Sequence, residues 1–336
     1  MKQTAVVIAP GRGTYNKAEL GYLKTRHPKK SDLIQQFDNY RDATGQVSVS
    51  SLDGMERYSI STHTRGDNAS PLIYACAYSD FVSIDRKAFD IIGVTGNSMG
   101  WYIALACAGA LSPMAGFEVV NTMGTLMQDH LIGGQIIYPY TDTNWVEIPA
   151  GKERLLGLCH DISSRPDHFL APSIDLGGLL VLAGDVNGLS AFEAEVEPVQ
   201  DRFPMRLQNH AGFHSELQKP VSDLGKERLK PSLFQQPNLP LIDGQGDLWY
   251  PSACDLNALW DYTLGHQVHE TYDFAAAIRI AAREFCPDVF IVLGPGTTLG
   301  GSVAQSLIRC DWQGWSDKAS FRQAQNEQQS LISMGA

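Results

Sequence analysis

"AFDIIGVTGNSMGWYIALACAGAL", residues 88–111, decides the reading of this chain. An apolar run, Asp90 to Val94, reads as a strand, and the small apolar residues from about 100 to 111 read as a helix. Between them Gly96-Asn97-Ser98-Met99-Gly100 has the form G-x-S-x-G. In such a turn glycines permit tight geometry and the serine hydroxyl stands exposed at the top of a sheet. Ser98 is therefore a candidate nucleophile. The amide of Met99, at the start of the following helix, points where an oxyanion would form. Taken alone, the pattern also fits a glycine-rich turn with an incidental serine.

A serine needs a base, and the chain has nine histidines. His27, His63, His130, His160 and His168 fall in polar stretches that read as exposed. His214 follows "NHAGF" and opens a helix, so it too would project from the top of a sheet. An imidazole of near-neutral pKa can take the serine proton and return it to a thiol leaving group. A third piece is "VVIAPGRG" near the start, a buried strand that delivers Pro10-Gly11-Arg12-Gly13 at its carboxyl end. Its backbone amides are placed to supply a second oxyanion donor. "GRGTYN" stops short of a G-x-G-x-x-G fingerprint, which argues against a dinucleotide site.

The bulk properties are those of a globular chain able to bury a sizeable core. The 336 residues are 43% hydrophobic and 19% charged, which suits one large α/β body with a smaller insertion. A net charge of −11 argues against nucleic acid or an anionic membrane as partner. An acidic partner protein would need a local basic patch. Six scattered cysteines form no CxxC pair and give no metal or disulfide signal. No apolar run approaches the length of about 20 residues that spans a bilayer. The expectation is a soluble, cytoplasmic protein.

Further along, residues 71–84 read as a buried helix opened by Pro71, and residues 114–130 as a second helix. "QIIYPY", "SIDLGGLLVLAGD" and "AFEAEVEPV" suggest a strand, a strand pair and a helix, a compact α+β piece over 129–205. A helix near 271–285, the strand "DVFIVLG", the turn "GPGTTLGG" and a Gln- and Ser-rich tail, helical or frayed, complete the chain.

Together "PGRG", "GNSMG", "AGFHSEL" and "LGPGTTLGG", in that order, resemble the malonyl-CoA:acyl-carrier-protein transacylase family, within the acyltransferase superfamily of polyketide and fatty-acid synthases. The resemblance covers nearly the whole chain, and "TMGTLMQ" after the elbow belongs to it. It implies an α/β hydrolase-like large subdomain with a short parallel sheet, residues 1–128 and 206–336. A small ferredoxin-like subdomain, 129–205, would close over the cleft. By position Ser98 is the nucleophile, His214 the base oriented by a main-chain carbonyl, and the amides of Arg12 and Met99 the oxyanion hole. Asn97, Trp101 and Met123 fall at substrate-binding positions, and His269 falls where the family often has a glutamine. The departures are as informative. Gly11-Arg12-Gly13 stands for Gly-Gln-Gly, Asn97 for a histidine, and Trp101 for a glutamate. Met123 stands where malonyl-type members carry the arginine that grips the free carboxylate.

The function implied is acyl transfer, through acyl-Ser98, from CoA or a carrier thioester to the phosphopantetheine thiol of an acyl carrier protein. Acyl-CoA is a substrate, and no metal or organic cofactor is needed. Without the arginine an uncharged acyl group is expected over malonyl. The alternatives are a thioester hydrolase of the same fold, or a true malonyl transferase that uses the Arg12 side chain. Carrier proteins of this kind are acidic, and Lys219, Lys226, Arg228 and Lys230 after His214 offer a basic docking face.

Overall fold

A computed structural model describes residues 2–336. The first strand, β1 (Gln3–Ala9), is fully buried from Ala5 onward. That suits a central strand covered on both faces. β1 pairs in parallel with β2 (Phe89–Gly96) on one side and β10 (Val289–Val292) on the other. The sheet extends through β11 (Leu331–Ser333) at one edge. At the other edge are β7 (Leu241–Ile242) and its antiparallel partner β8 (Leu248–Trp249). The β1–β2 register sets Ala9 beside Gly96. The Pro10–Gly13 loop and the Gly96–Gly100 turn therefore leave the same carboxyl edge of the sheet, where ligands bind in open parallel sheets.

Helix Gly100–Cys107 descends from that turn, and Pro113–Asp129 packs beside it. Ser112 caps the latter, its hydroxyl accepting from the Ala115 amide, with Pro113 pre-set at the first helical position. Both helices lie against Gly66–Phe81, which is buried at almost every position. Aromatic packing fixes this layer, with Phe37 stacked on Phe117 at 4.4 Å and Tyr74 against both edges.

Pro71 does not open the third helix, as the sequence suggested; the helix begins at Gly66 and Pro71 sits inside it. An interior proline leaves the carbonyl four residues back without its helical donor. That carbonyl belongs to Asp67, and Arg41 Nη1 donates to it at 2.6 Å. Arg41 is wholly buried and also donates to the Val47 carbonyl and to the side chains of Asn68 and Asn121. A distant side chain thus supplies what the local sequence withholds.

The second sheet has the order β6-β3-β5-β4-β9. Strands β3 (Gly134–Pro139), β4 (Leu170–Asp175), β5 (Leu179–Gly184) and β6 (Met205–Arg206) pair antiparallel. Helices Gly151–Ser163 and Val186–Glu195 complete the βαββαβ order of a ferredoxin-like unit. Ile136, Leu155, Ile162, Leu182 and Phe192 form its own core. β9 (Tyr272–Asp273), from the large part of the chain, adds in parallel to β4. The two parts are therefore joined by main-chain hydrogen bonds as well as by packing.

Local signals account for the other differences. The helix expected over 191–199 starts earlier, because Asp185 caps it through the Gly188 amide. Helix Gly151–Ser163 carries only Leu155, Cys159 and Ile162 as buried large residues, a stripe too sparse to stand out. The tail forms helix Lys318–Glu327, capped by Asp317, before β11 joins the sheet edge.

Replacing Arg41 by Ala should leave four acceptors without this donor, the side chains of Asn68 and Asn121 among them buried, at a cost of about 3 kcal/mol. Guanidinium unfolding of Arg41→Ala measures this; a loss below about 1 kcal/mol would show that water or relaxation satisfies those groups.

Candidate active site

The turn after β2 is tight enough to dictate its residues. A Cβ on Gly96 would lie 2.1 Å from the Gly100 carbonyl oxygen, and one on Gly100 would lie 2.3 Å from that of Ala9. Only glycine fits either position. Ser98 between them has φ +56°, a left-handed conformation that non-glycine residues adopt only under constraint. This is the strained strand-to-helix elbow. Gly11 lies against it, since a Cβ there would meet the Asn97 carbonyl at 2.7 Å. Among the described residues neither the Met99 nor the Arg12 main-chain N–H has a hydrogen-bond acceptor within the chain.

His214 reaches the serine from the other part of the sequence. Its Nε2 is 2.7 Å from Ser98 Oγ. Its Nδ1 is 2.7 Å from the Gln267 carbonyl oxygen, which can only accept. Nδ1 therefore carries the proton, and Nε2 offers a lone pair to the serine hydroxyl. His214 also has positive φ, +54°, with its own amide donating to the Val268 carbonyl. Burial pushes its pKa down to about 4, against a smaller raising effect of the Gln267 carbonyl; His266 lowers it slightly. The imidazole is thus neutral at physiological pH and able to accept a proton.

His269, expected in the glutamine position, lies two residues beyond Gln267, a glutamine that does line the cavity. His269 faces Glu270 at 3.3 Å and does not line the cavity. Gln267 does: besides anchoring His214 through its carbonyl, its Nε2 donates to the Ser98 carbonyl at 3.0 Å and its Oε1 accepts from Tyr102. Trp101, also expected at the substrate, is fully buried away from the cavity, with Nε1 donating to Thr263. The helix turns it inward because position 101 lies on the face packed against Leu256–Leu264.

A cavity of about 460 Å³ opens over Ser98 and His214, between the two sheets. Asn97, Met99, Met123, Arg12 and Gln267 line it, with Val120, Met127, Ile137, Leu179, Val181 and Phe203 among its many apolar walls. Met123 is wholly buried, and its sulfur meets the backbone of Gly225 across the helix pair. The Arg12 side chain is held in place by Nη2, which donates to the carbonyls of Thr64 and Asn209. Its Nε is buried with no partner, and its guanidinium sits over the Phe213 ring at 5.5 Å. Burial pushes its pKa down to about 10, partly offset by Asp67.

The structure adds a second cavity histidine, His210, which nothing but its place in "NHAGFH" marked. It also corrects two others. His27 and His63, read as exposed, are buried: His27 Nε2 lies 2.7 Å from Asp80, and His63 Nε2 meets the Leu52 carbonyl. The basic helix is helix Lys219–Arg228, with Lys219 and Arg228 exposed and Lys226 paired with Asp261 at 2.6 Å. Among the described residues no cluster of His, Cys, Asp and Glu could hold a metal ion, and no helix is long and apolar enough to cross a membrane.

No protein-family model matches the chain. The malonyl CoA-acyl carrier protein transacylase of Bacillus subtilis is 22% identical over 236 residues, 70% of this chain and 71% of that protein. The acyl-carrier-protein S-malonyltransferase of Burkholderia pseudomallei superposes with TM-score 0.73 at 21% identity, over 97% of this chain and 100% of that one. The fold is that of the malonyl-CoA:acyl-carrier-protein transacylases. A malonyl-transacylase solved in complex with its type II polyketide-synthase acyl-carrier protein shares this transacylase fold as well, with TM-score 0.72, 18% identity and coverage of 99% and 95%.

The depressed pKa of His214 sets a pH dependence for this transacylase fold. A base lowered when folded is available above its folded pKa and lost as pH falls through it. The rate of Ser98 modification by an acyl thioester should stay level well below the ordinary histidine value of about 6.5, with its acid limb near pH 4. A stopped-flow pH profile, with circular dichroism to mark unfolding, checks this; an acid limb at the ordinary value would show a solvated imidazole.

Proposed function

We propose that this chain is an acyltransferase that moves an acyl group from CoA, or a carrier thioester, to the phosphopantetheine thiol of an acyl carrier protein. The observation that carries the reading is the 2.7 Å contact of Ser98 Oγ with His214 Nε2, on a histidine whose Nδ1 is fixed to a main-chain carbonyl. The relatives named malonyl transacylases support the same class.

In the first half-reaction Ser98 Oγ attacks the thioester carbonyl while its proton passes to His214 Nε2. The Gln267 carbonyl accepts the Nδ1 hydrogen bond throughout and stabilises the imidazolium that forms. The tetrahedral oxygen takes its negative charge toward the free amides of Met99 and Arg12. The C–S bond then breaks, and the leaving thiolate receives the proton from Nε2. An acyl-Ser98 ester remains. The carrier thiol gives its proton to the same Nε2, attacks the ester, and Ser98 recovers its proton as the C–O bond breaks. Gln267 is a positioning residue on both sides of this exchange, bound to the Ser98 carbonyl and to His214.

An uncharged acyl group fits the walls best. A malonyl carboxylate buried against Met123 would lose its hydration with no fixed two-pronged donor to replace it, at several kcal/mol. Arginine 12 already spends Nη2 on two main-chain carbonyls, which leaves it poorly placed to act as that fork. A flexible thioether and many aliphatic walls accommodate more than one chain shape instead.

Incubation with butyryl-CoA followed by intact-mass analysis tests the reading. A serine adduct is expected on the wild type and absent from Ser98→Ala, and holo-carrier protein should then collect the acyl group. Appearance of free acid in place of acyl-carrier would make the protein a hydrolase. His214→Ala should lower turnover by a factor on the order of 10² or more. Met123→Arg should raise kcat/KM for malonyl-CoA relative to butyryl-CoA; malonyl leading on the wild type would overturn the preference for an uncharged group.

Docking of the carrier is assigned to the outer face of helix Lys219–Arg228, whose inner face abuts Met123. Lys226 is committed to Asp261, so Lys219 and Arg228 are the free cations there. Their reversal to Glu should raise KM for carrier protein several-fold and leave acyl-CoA acylation of Ser98 unchanged. Equal loss on both substrates would point to misfolding.

A further inference from the structure

His210 and Arg12 both line the cavity, and both lie against the ring of Phe213, the residue before His214. The His210 ring centroid is 5.7 Å from that of Phe213, and the Arg12 guanidinium carbon lies 5.5 Å from it. A chain of hydrogen bonds fixes which nitrogen of His210 holds the proton. The Phe213 carbonyl only accepts, so Ser173 Oγ donates to it at 2.8 Å. That hydroxyl then accepts from Gln135 Nε2 at 2.7 Å, which turns Gln135 Oε1 toward His210 Nδ1 at 2.9 Å. Oε1 can only accept, so Nδ1 donates. Gln135 and Ser173 are buried on β3 and β4, so the whole relay is rigid.

Nε2 of His210 is left as a lone pair with no partner among the described residues. Burial and the nearby Arg12 charge keep the ring neutral, well below its ordinary pKa. Beside this acceptor stands a cation with unspent donors, since only Nη2 of Arg12 has partners. A carboxylate would meet the His210 lone pair with its own. A hydroxyl suits both: it donates one hydrogen and accepts another.

We propose that Arg12 and His210 form a donor–acceptor clamp for a hydroxyl on the acyl group, so that the preferred cargo is a hydroxyacyl rather than a plain acyl chain. This rests on the acyltransferase reading above and names its substrate class. The clamp shares its cavity with both reacting groups, Ser98 and His214. The neutral walls beyond it receive the rest of the chain. A site built to hydrogen-bond a hydroxyl discriminates strongly against the analogue that lacks it, because its own polar groups then stay unpaired.

The test compares kcat/KM for Ser98 acylation by 3-hydroxybutyryl-CoA, butyryl-CoA and malonyl-CoA. On the wild type 3-hydroxybutyryl should exceed butyryl by about tenfold or more. His210→Phe, which removes the acceptor, should erase that ratio, and His210→Asn, which restores an acceptor oxygen, should recover part of it. Three results overturn the clamp: no preference on the wild type, an equal fall for both acyl chains in His210→Phe, or malonyl leading and collapsing in Arg12→Gln. The second would place His210 on the pantetheine arm common to all substrates; the third would make Arg12 a carboxylate reader. In each of these Ser98 is still acylated, so the acyltransferase reading stands. Failure of all three thioesters to acylate Ser98 would instead remove that reading, and the clamp with it.

Discussion

Everything at the site depends on how closely two main-chain segments approach at the carboxyl edge of the parallel sheet. The Ala9 carbonyl and the Gly100 Cα are so near that a methyl group would sit 2.3 Å from the oxygen. That contact locks the β1 loop to the elbow. It forces Ser98 into the left-handed region, lifts its hydroxyl off the sheet, and leaves the Arg12 and Met99 amides without acceptors beside it. Strain and unpaired donors each cost about 1–3 kcal/mol, and the buried hydrophobic β1–β2–β10 layer beneath offsets them. The reactive geometry is therefore stored in the sheet rather than in the loops.

The base is held by a different part of the molecule. Gln267 joins His214 to the Ser98 carbonyl, so the serine and the histidine share one anchor. The loop before His214 is tied to the small sheet through Gln135 and Ser173, both bonded to the Phe213 carbonyl or to each other. Any rocking of the small sheet would pull on Phe213 and hence on its neighbour. β9, hydrogen-bonded to β4, resists that motion, and Tyr272 within it reaches the Gly96 carbonyl at 2.5 Å. Two connections thus run from the ferredoxin-like unit to the elbow.

How much of this was legible in the sequence follows from where each constraint originates. The elbow was legible because its glycines and serine are contiguous, and the sheet because β1, β2 and β10 are uninterrupted apolar runs. His214 followed from the motif order. Gln267 was not legible, because its contact with His214 is made by a main-chain carbonyl, which every residue has; the sequence reading placed His269, from the same short helix, there instead. Trp101 was misplaced because helix phase, set by packing against Leu256–Leu264, has no local signature. The start of helix Gly66–Phe81 was hidden for a related reason: Pro71 is a stop signal unless a remote donor such as Arg41 completes the turn. Burial of His27 likewise rests on Asp80, far away along the chain, and that of His63 on the Leu52 carbonyl in a neighbouring helix.

Arg41 and Arg12 make the contrast that separates framework from site. Burial lowers both guanidinium pKa values to about 10, so both bear a similar desolvation penalty. Arg41 answers it with four acceptors spread over Nε, Nη1 and Nη2, none of them a carboxylate. Its charge is satisfied within the chain, and it completes a helix. Arg12 has two acceptors, both on Nη2, and a buried Nε with none. A cation held by two carbonyls, half-buried and only partly satisfied has hydrogen-bonding capacity left for something that comes from outside. It projects into the one large cavity described here, beside a histidine whose lone pair is equally unspent. A glutamine at this position would be neutral and would carry both a donor and an acceptor in one side chain. Here those two roles are divided between Arg12 and His210, and the division is what turns a plain acyl pocket into one able to recognise a polar group on the chain it carries.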